Sequence, residues 1–374
     1  MTGFARTDTS TIATWWWTVD RWMLMALAML IGFGILLTLA ASPAVADRIG
    51  FEPYYFVKRH MVYLVPAIIT VIGLSLLEPK GVRRIGVVLF IVALILMALT
   101  LAVGVEIKGA RRWLNLGGFS LQPSELIKPA FAVIAAWLMA TARDSEKFPG
   151  LAITIGLYAL TAMALVAQPD MGQTALVSAI FAAQFFVAGM PLYLIGLFVA
   201  LGIGGATSAY FLLPHFSSRI DRFLNPASGD SFQAVTGLEA FMNGGLLGRG
   251  PGEGTVKGIL PDAHSDFIFA VAGEELGFIA CLFIVALFAT IVLRGIARSL
   301  EAHNLFVLLA VTGLLTQFAT QAIIHMASTL SLMPTKGMTL PFISYGGSSL
   351  LGIAFTMGFV LALTRKRIRI GGEG

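Results

Sequence analysis

Leu260–Pro261–Asp262–Ala263–His264–Ser265–Asp266–Phe267 closes the longest polar segment of the chain and runs straight into an apolar stretch ending near residue 293. Two carboxylates and an imidazole therefore stand where an aqueous loop meets a run long enough to cross a bilayer. Working outward, the same change from polar to apolar recurs along almost the whole sequence. The chain is 57% hydrophobic and 12% charged, outside the range of soluble domains. Apolar runs of about 20 residues separated by short loops predict an all-α, polytopic helical membrane protein. Ten spans are expected, near 22–41, 61–77, 85–104, 126–142, 150–167, 172–188, 192–213, 267–293, 305–326 and 348–364.

An even number of spans puts both termini on one side. The basic tail Arg365–Lys366–Arg367–Ile368–Arg369 and the loop Lys80–Gly81–Val82–Arg83–Arg84 mark that side as cytoplasmic, and Arg143, Lys147, Arg294 and Arg298 fall with them. The chain reads as one integral membrane domain, 1–374, with cytoplasmic tails at 1–20 and 365–374 and one long periplasmic loop at 214–262. Ala44–Val45–Ala46 resembles a signal-peptidase site, but the apolar stretch before it exceeds the ~7–15 residues of a signal core, so it is read as an uncleaved first span. The lone Cys281 excludes an intramolecular disulfide.

The outer side is unusually basic: Arg48, Lys58, Arg59, Lys108, Arg111, Arg112, Arg219, Arg222, Arg249, Lys257 and Lys336 all fall there. Long loops translocate regardless of charge, which covers 214–262 but poorly covers the short 105–125 loop. The other explanation is an outward-facing site for an anion, most plausibly phosphate.

Several stretches can carry chemistry. Lys108–Gly109–Ala110–Arg111–Arg112–Trp113 combines guanidinium groups that match phosphate oxygens with a flat aromatic face, or is simply an interfacial anchor. Gln122–Pro123–Ser124–Glu125–Leu126–Ile127–Lys128 opens a span. Ser124 can cap it, and Glu125 and Lys128 share a helix face and can pair, structurally or with an anionic substrate. Asp170 is either a second carboxylate at the site or an ordinary Pro-Asp turn. The glycine-dense run 244–254 is not a nucleotide loop, because no strand precedes it and no Walker lysine follows. A loop turning tightly against a substrate or partner is expected. In the opening stretch Asp262 or Ser265 can cap the following helix. Below Asp266 lie Ala270, Gly273 and Gly277, a small-residue face for tight packing or for a lipid groove. Glu274 and Glu275 lie deeper and are read as structural. Met333–Pro334–Thr335–Lys336–Gly337–Met338–Thr339–Leu340–Pro341–Phe342–Ile343–Ser344–Tyr345–Gly346–Gly347 is too apolar for a free loop and too rich in Pro and Gly for a helix. A re-entrant segment buried in protein fits it.

Together these stretches resemble the SEDS family (shape, elongation, division and sporulation) over nearly the whole chain. The carriers are the Gly109-to-Gly117 run, Gln122–Pro123–Ser124–Glu125, the Pro261-to-Phe267 stretch with Ala270 and Glu274–Glu275–Leu276–Gly277, and the 334–349 segment. Pro334–Thr335–Lys336–Gly337 resembles the family's division branch more than its elongation branch. Ser120, Asn225, Phe232–Gln233 and His325 depart from the residues usual there.

The resemblance implies a lipid II polymerase at the outer face of the bacterial inner membrane, acting at the division septum. It implies as partners a class B penicillin-binding transpeptidase and other divisome membrane proteins, and no nucleic acid. The implied donor is a glycan on undecaprenyl pyrophosphate, attacked by the 4-hydroxyl of the GlcNAc on lipid II. Asp266 falls on the family's essential aspartate and would serve as general base, inverting the α-linked donor to a β-1,4 bond. Pyrophosphate is a good leaving group, so no second carboxylic acid is required. Arg111, Arg112, Lys128 and Lys336 are the cations expected to meet its charge. Lys108, Trp113, Gln122, Ser124, Glu125, His264 and Ser344 complete the expected substrate-binding set. A divalent cation, Mg or Mn, is compatible with the pyrophosphate, but no ligand cluster in the sequence demands one. Two other functions fit the same spans: a lipid II flippase, which needs charges at mid-depth, and a non-enzymatic scaffold for the transpeptidase.

Overall fold

The structure, a computed structural model, describes residues 10–107, 110–145, 147–212, 214–224, 232–334 and 337–366. A short helix, α1 (Thr11–Thr18), leads into α2 (Arg21–Arg48), α3 (Tyr55–Ser75) and α4 (Pro79–Val103). Three short strands follow, then α5 (Pro123–Asp144), α6 (Gly150–Ala167), α7 (Met171–Val187) and α8 (Leu192–Leu212). Two further helices follow, α9 (Pro214–Leu224), which packs on α8, and α10 (Phe232–Gly244), which packs on α11. The chain then returns through α11 (Ile268–Glu301), α12 (Leu305–Thr329) and α13 (Gly347–Leu363). The predicted spans correspond to α2–α8 and α11–α13. Among the described residues seven helices are long and apolar enough to cross a membrane; α7, α13 and the Gly196–Phe211 part of α8 are shorter apolar stretches.

Local chemistry sets the starts of these helices. Pro79 and Pro123 occupy first turns, where no N–H is needed. The Asp20 carboxylate accepts from Trp22 N and Met23 N, and Asn304 Oδ1 accepts from Val307 N. The bundle is built around α5. It packs on α4, α6, α7, α12 and α13, and Ile127, Ala130, Phe131, Ala132 and Val133 are all fully buried.

One end of the bundle gathers Arg294, Arg298 and Arg365. Asp20 accepts from Arg294 Nε at 2.7 Å and Arg298 Nε at 3.0 Å, and Arg365 donates to Thr18 Oγ1 and the Leu76 carbonyl. Burial works against ionising Asp20, but Arg294, the Met23 N–H and Arg298 outweigh it and hold the carboxyl below its ordinary range. Asp266 lies at the opposite end, called here the site end.

Two features of the site end differ from expectation. The 105–125 loop is a small antiparallel sheet, β1 (Val105–Ile107), β2 (Ala110–Leu116) and β3 (Phe119–Leu121), in the order β1-β2-β3. Leu116 pairs with Phe119 across Gly117 (φ +56°) and Gly118 (φ +96°). Positive φ at both central residues closes a two-residue hairpin, which only glycine does without cost. The second feature is a break in α11 at Gly277 (φ +79°, ψ 178°). The glycine-dense run packs into that break, so it approaches the helix backbone of its own chain. The small-residue face below Asp266 is filled too: a methyl group on Gly273 would strike the Phe241 ring. Tight packing, and not a lipid groove, is what Gly273 and Gly277 provide here.

α2 contributes a close approach at Gly34, where an added methyl group would overlap the Phe342 carbonyl oxygen. Phe342 belongs to the segment joining α12 to α13, so Gly34→Ala should displace that segment. Overpacking of this kind costs about 1–3 kcal/mol. A lower thermal midpoint in detergent is the expected reading, and an unchanged midpoint would show that the segment yields freely.

Candidate functional site

The opening stretch folds as a tight turn. Asp262 adopts a left-handed conformation (φ +53°), which aspartate tolerates better than most residues. Its carbonyl accepts from Ser265 N and Asp266 N, both at 3.0 Å. Neither Asp262 nor Ser265 caps α11. Phe267 occupies the N-cap position without a side-chain hydrogen bond. The turn keeps Asp262 out of the helix and leaves Asp266 two residues before its start at Ile268.

The segment between α12 and α13 is re-entrant in its chemistry, as its composition implies. Met338, Leu340, Phe342, Ile343 and Ser344 are buried although they lie outside any helix. It is stitched to the Asp266 turn at three points. Ser344 Oγ accepts from Leu340 N at 2.7 Å and donates to the Ser265 carbonyl at 2.8 Å. Tyr345 N donates to the His264 carbonyl at 3.1 Å. Gly337 (φ +63°) backs onto the carboxylate so closely that a methyl group there would sit 3.1 Å from Asp266 Oδ2. Ser344 thus holds the turn that carries Asp266.

His264 is packed as an aromatic ring. Its centroid lies 4.0 Å from Phe56 and 5.3 Å from Tyr345. Burial pushes its pKa down from 6.5 to about 4, with Asp262 opposing and Arg48 reinforcing the shift. The unfolded chain takes up a proton near pH 6.5, and the folded chain does so only near 4. Stability is therefore complete above pH 6.5 and lost progressively as the pH falls towards 4. His264→Phe should make the thermal midpoint fall less steeply across that window. An equal acid loss in wild type and variant would place the sensitivity elsewhere.

The polar start of α5 forms a closed network. Lys128 Nζ donates to Glu125 Oε2 at 2.8 Å and to Gln321 Oε1 at 3.2 Å, and Gln173 Nε2 donates to Glu125 Oε1 at 2.6 Å. Gln321 Nε2 in turn donates to the Thr339 carbonyl at 3.1 Å and Ser349 Oγ at 3.2 Å. The predicted Glu125–Lys128 pair is present. Lys128 is fully buried, so its ammonium faces protein and not an open cleft. Ser124 does not cap α5. Gln122 takes that position without a side-chain bond, and the buried Ser124 Oγ has no hydrogen-bond partner among the described residues.

The sheet leans on the turn between α6 and α7. Arg112 Nε donates to the Gln168 carbonyl at 3.1 Å, and its other end donates to the Pro169 carbonyl. Asp170 caps α7 and accepts from Gln122 Nε2 at 3.3 Å. It thus fills the capping role that the Pro-Asp turn offers. Arg111 is half exposed, 3.5 Å from Glu106, and Trp113 pairs with Val105 across the sheet. Lys108 and Lys336, both expected at the site, lie outside the described residues.

Sequence reasoning counted Arg48 and Arg59 among the outer cations without assigning either to the site. Arg48 donates to the Ile259 carbonyl at 3.3 Å. Arg59 donates to the Gly118 carbonyl at 2.6 Å and to Tyr55 Oη at 3.0 Å, tying α3 to the sheet. Nothing in their local sequence marks them, because both join segments far apart in the chain. Among the described residues no group of three or more His, Cys, Asp or Glu side chains is placed to hold a metal ion.

Comparison with known proteins gives one family. Residues 21–368 match the cell cycle protein family FTSW_RODA_SPOVE. A Caulobacter vibrioides protein named "Probable peptidoglycan glycosyltransferase FtsW" is 42% identical over 365 residues, 97% of this chain and 94% of that protein. The Geobacter metallireducens protein of the same name is 34% identical over 93% of this chain and 96% of its own length. Among solved structures, one chain from work on the structural coordination of polymerization and crosslinking by a peptidoglycan synthase complex superposes with a TM-score of 0.76 at 27% identity, covering 92% of this chain and 97% of that one. The rod shape determining protein RodA of Thermus thermophilus superposes with a TM-score of 0.70 at 25% identity over 93% and 97%.

Proposed function

The chain belongs to the FTSW_RODA_SPOVE family of cell cycle proteins, and from that premise we propose that it is a peptidoglycan glycosyltransferase of cell division that polymerises lipid II, with Asp266 as general base. The observation that carries this reading is the station of Asp266. It sits at the mouth of the bundle, on a turn that the segment between α12 and α13 holds at three points. A base must be held within hydrogen-bond reach of the proton it takes, and such help is worth about 10²–10⁴-fold.

Asp266 takes the proton from the 4-hydroxyl of the acceptor GlcNAc as that oxygen attacks the anomeric carbon of the donor. The bond to undecaprenyl pyrophosphate breaks with inversion. The leaving charge develops in a partly dry site, where fixed cations act strongly. Lys128 is occupied by Glu125 and Gln321, which shifts this task towards Arg59, Arg111 and Lys336. Glu125 and Lys128 then serve the site by holding Gln321 against the re-entrant segment.

The site end faces the periplasm and both termini face the cytoplasm of the inner membrane. Support comes from Arg294, Arg298 and Arg365, which cluster at the opposite end. The partner is a class B penicillin-binding protein at the septum, with the α9–α10 region as its contact. Deleting the tip of that region should weaken partner binding, and unchanged binding would remove it as the contact.

A lipid II flippase would need charges along an open route. Glu274 and Glu275, the buried carboxylates of α11, are closed over by loop residues 252–257 and line no such route. The deciding experiment supplies purified lipid II to the solubilised protein and its partner, with the partner's transpeptidase site blocked. Glycan polymer supports the polymerase. Lipid II transport in vesicles without polymer would replace it with the flippase.

A further inference from the structure

The break in α11 is not a relaxed kink. At Gly277 the helix loses its own hydrogen bonds, and the 244–257 loop supplies replacements on both sides. The freed carbonyls of Glu274 and Glu275 accept from Arg249 N and Gly250 N, each at 3.0 Å. The freed N–H groups of Phe278 and Ile279 donate to the Gly245 and Leu246 carbonyls at 3.0 and 3.2 Å. Backbone groups at membrane depth must find partners within the protein, and here another loop is that partner. The fit leaves no room: a methyl group at Gly248 would overlap the Glu275 carbonyl, and one at Gly277 would overlap Gly248 N.

The two carboxylates seal the same contact from the side. Glu274 accepts from Thr255 N at 2.9 Å, Thr255 Oγ1 at 3.1 Å and Val256 N at 3.0 Å. Glu275 accepts from Gly252 N at 2.9 Å and Lys257 Nζ at 2.5 Å, while Lys257 also donates to the Gly252 carbonyl at 2.7 Å. Both glutamates are 0–1% exposed. Burial on that scale is tolerated only for carboxylates so fully bonded.

Residues 267–276, which directly follow Asp266, are therefore bound to the loop and to α10, and are separated from the rest of α11 by a glycine break. We propose that Glu274, Glu275 and Lys257 are positioning residues for Asp266: their clamp on residues 248–257 makes the first part of α11 one body with the loop and sets where the carboxylate stands. The inference rests on Asp266 being the catalytic base. None of the three touches the reacting atoms. They act through the segment that carries Asp266, and a misplacement of about 1 Å costs on the order of 10²-fold in rate.

The test uses the full-length protein with its partner. Lys257→Met, the double variant Lys257→Met/Glu275→Gln, and Gly248→Ala are compared with wild type and Asp266→Ala. The double variant leaves no unpaired buried charge, so it guards against simple misfolding, yet it lacks both bonds that Lys257 makes. Hydrogen exchange at the 248–256 amides reads the clamp, and kcat and KM for lipid II read the base. Faster exchange, a kcat lowered about 10²-fold and a KM within about twofold, with an unchanged thermal midpoint in the double variant, is the expected result. Faster exchange with unchanged kcat would overturn the proposal, because the clamp would then not position the base. Unchanged exchange in the double variant and in Gly248→Ala would overturn the clamp itself. Full activity in Asp266→Ala would instead remove the base assignment on which the proposal stands, whatever the clamp variants do.

Discussion

Asp266→Asn should abolish most glycan polymerisation while leaving the protein folded. The amide keeps the shape and the turn. Asp266 N still donates to the Asp262 carbonyl, and Ser344 still holds the Ser265 carbonyl. What is lost is the ability to take a proton, worth about 10²–10⁴-fold in kcat. KM for lipid II should change little, because the acceptor hydroxyl is only one of its contacts. Asp262 and Asp170 are the controls. Asp262→Gly keeps the left-handed turn and should retain most activity. Asp170→Asn keeps a helix cap and should lose far less than Asp266→Asn. A loss at Asp170 equal to that at Asp266 would place a second carboxylate in the chemistry.

Lys128→Met should be the most damaging change to stability. Its ammonium is fully buried between Glu125 and Gln321, and its removal leaves the Glu125 carboxylate with the Gln173 amide as its recorded partner. Breaking one side of a buried pair costs about 3–5 kcal/mol, whereas removing both charges is often close to neutral. The double variant Glu125→Gln/Lys128→Met should therefore melt near wild type, and the single variant far below it. Because Gln321 bridges this network to Thr339 and Ser349, the single variant should also loosen the re-entrant segment and lower activity. Equal melting of the single and double variants would mean that the pair is not held as a unit.

How much of this was legible in the sequence depended on whether the signal was local. Span positions follow from apolar length, so every predicted span has its helix. The i, i+3 pairing of Glu125 with Lys128 follows from helix geometry alone. The buried character of the 337–346 segment follows from apolar residues interleaved with proline and glycine. The small sheet was missed because Val105–Glu106–Ile107 is too short to show alternation, and its hairpin depends on paired glycines at 117 and 118. The capping roles given to Ser124, Asp262 and Ser265 failed for a common reason. Each has a suitable side chain, but the adjoining loop is held by tertiary contacts that place another residue at the cap. The glycine run 244–254 showed that something must approach closely. Only the fold shows that its partner is the broken backbone of α11, some 30 residues on. Arg48 and Arg59 carry no local mark, since they bond carbonyls at Ile259 and Gly118.

The most direct test of the central claim is the length distribution of glycan made from purified lipid II by wild type and Asp266→Ala, at equal amounts of folded protein and with the partner's crosslinking site blocked. Polymer from wild type and none from Asp266→Ala is the predicted result. Polymer of equal length and yield from both would contradict the account, because the base would then lie elsewhere.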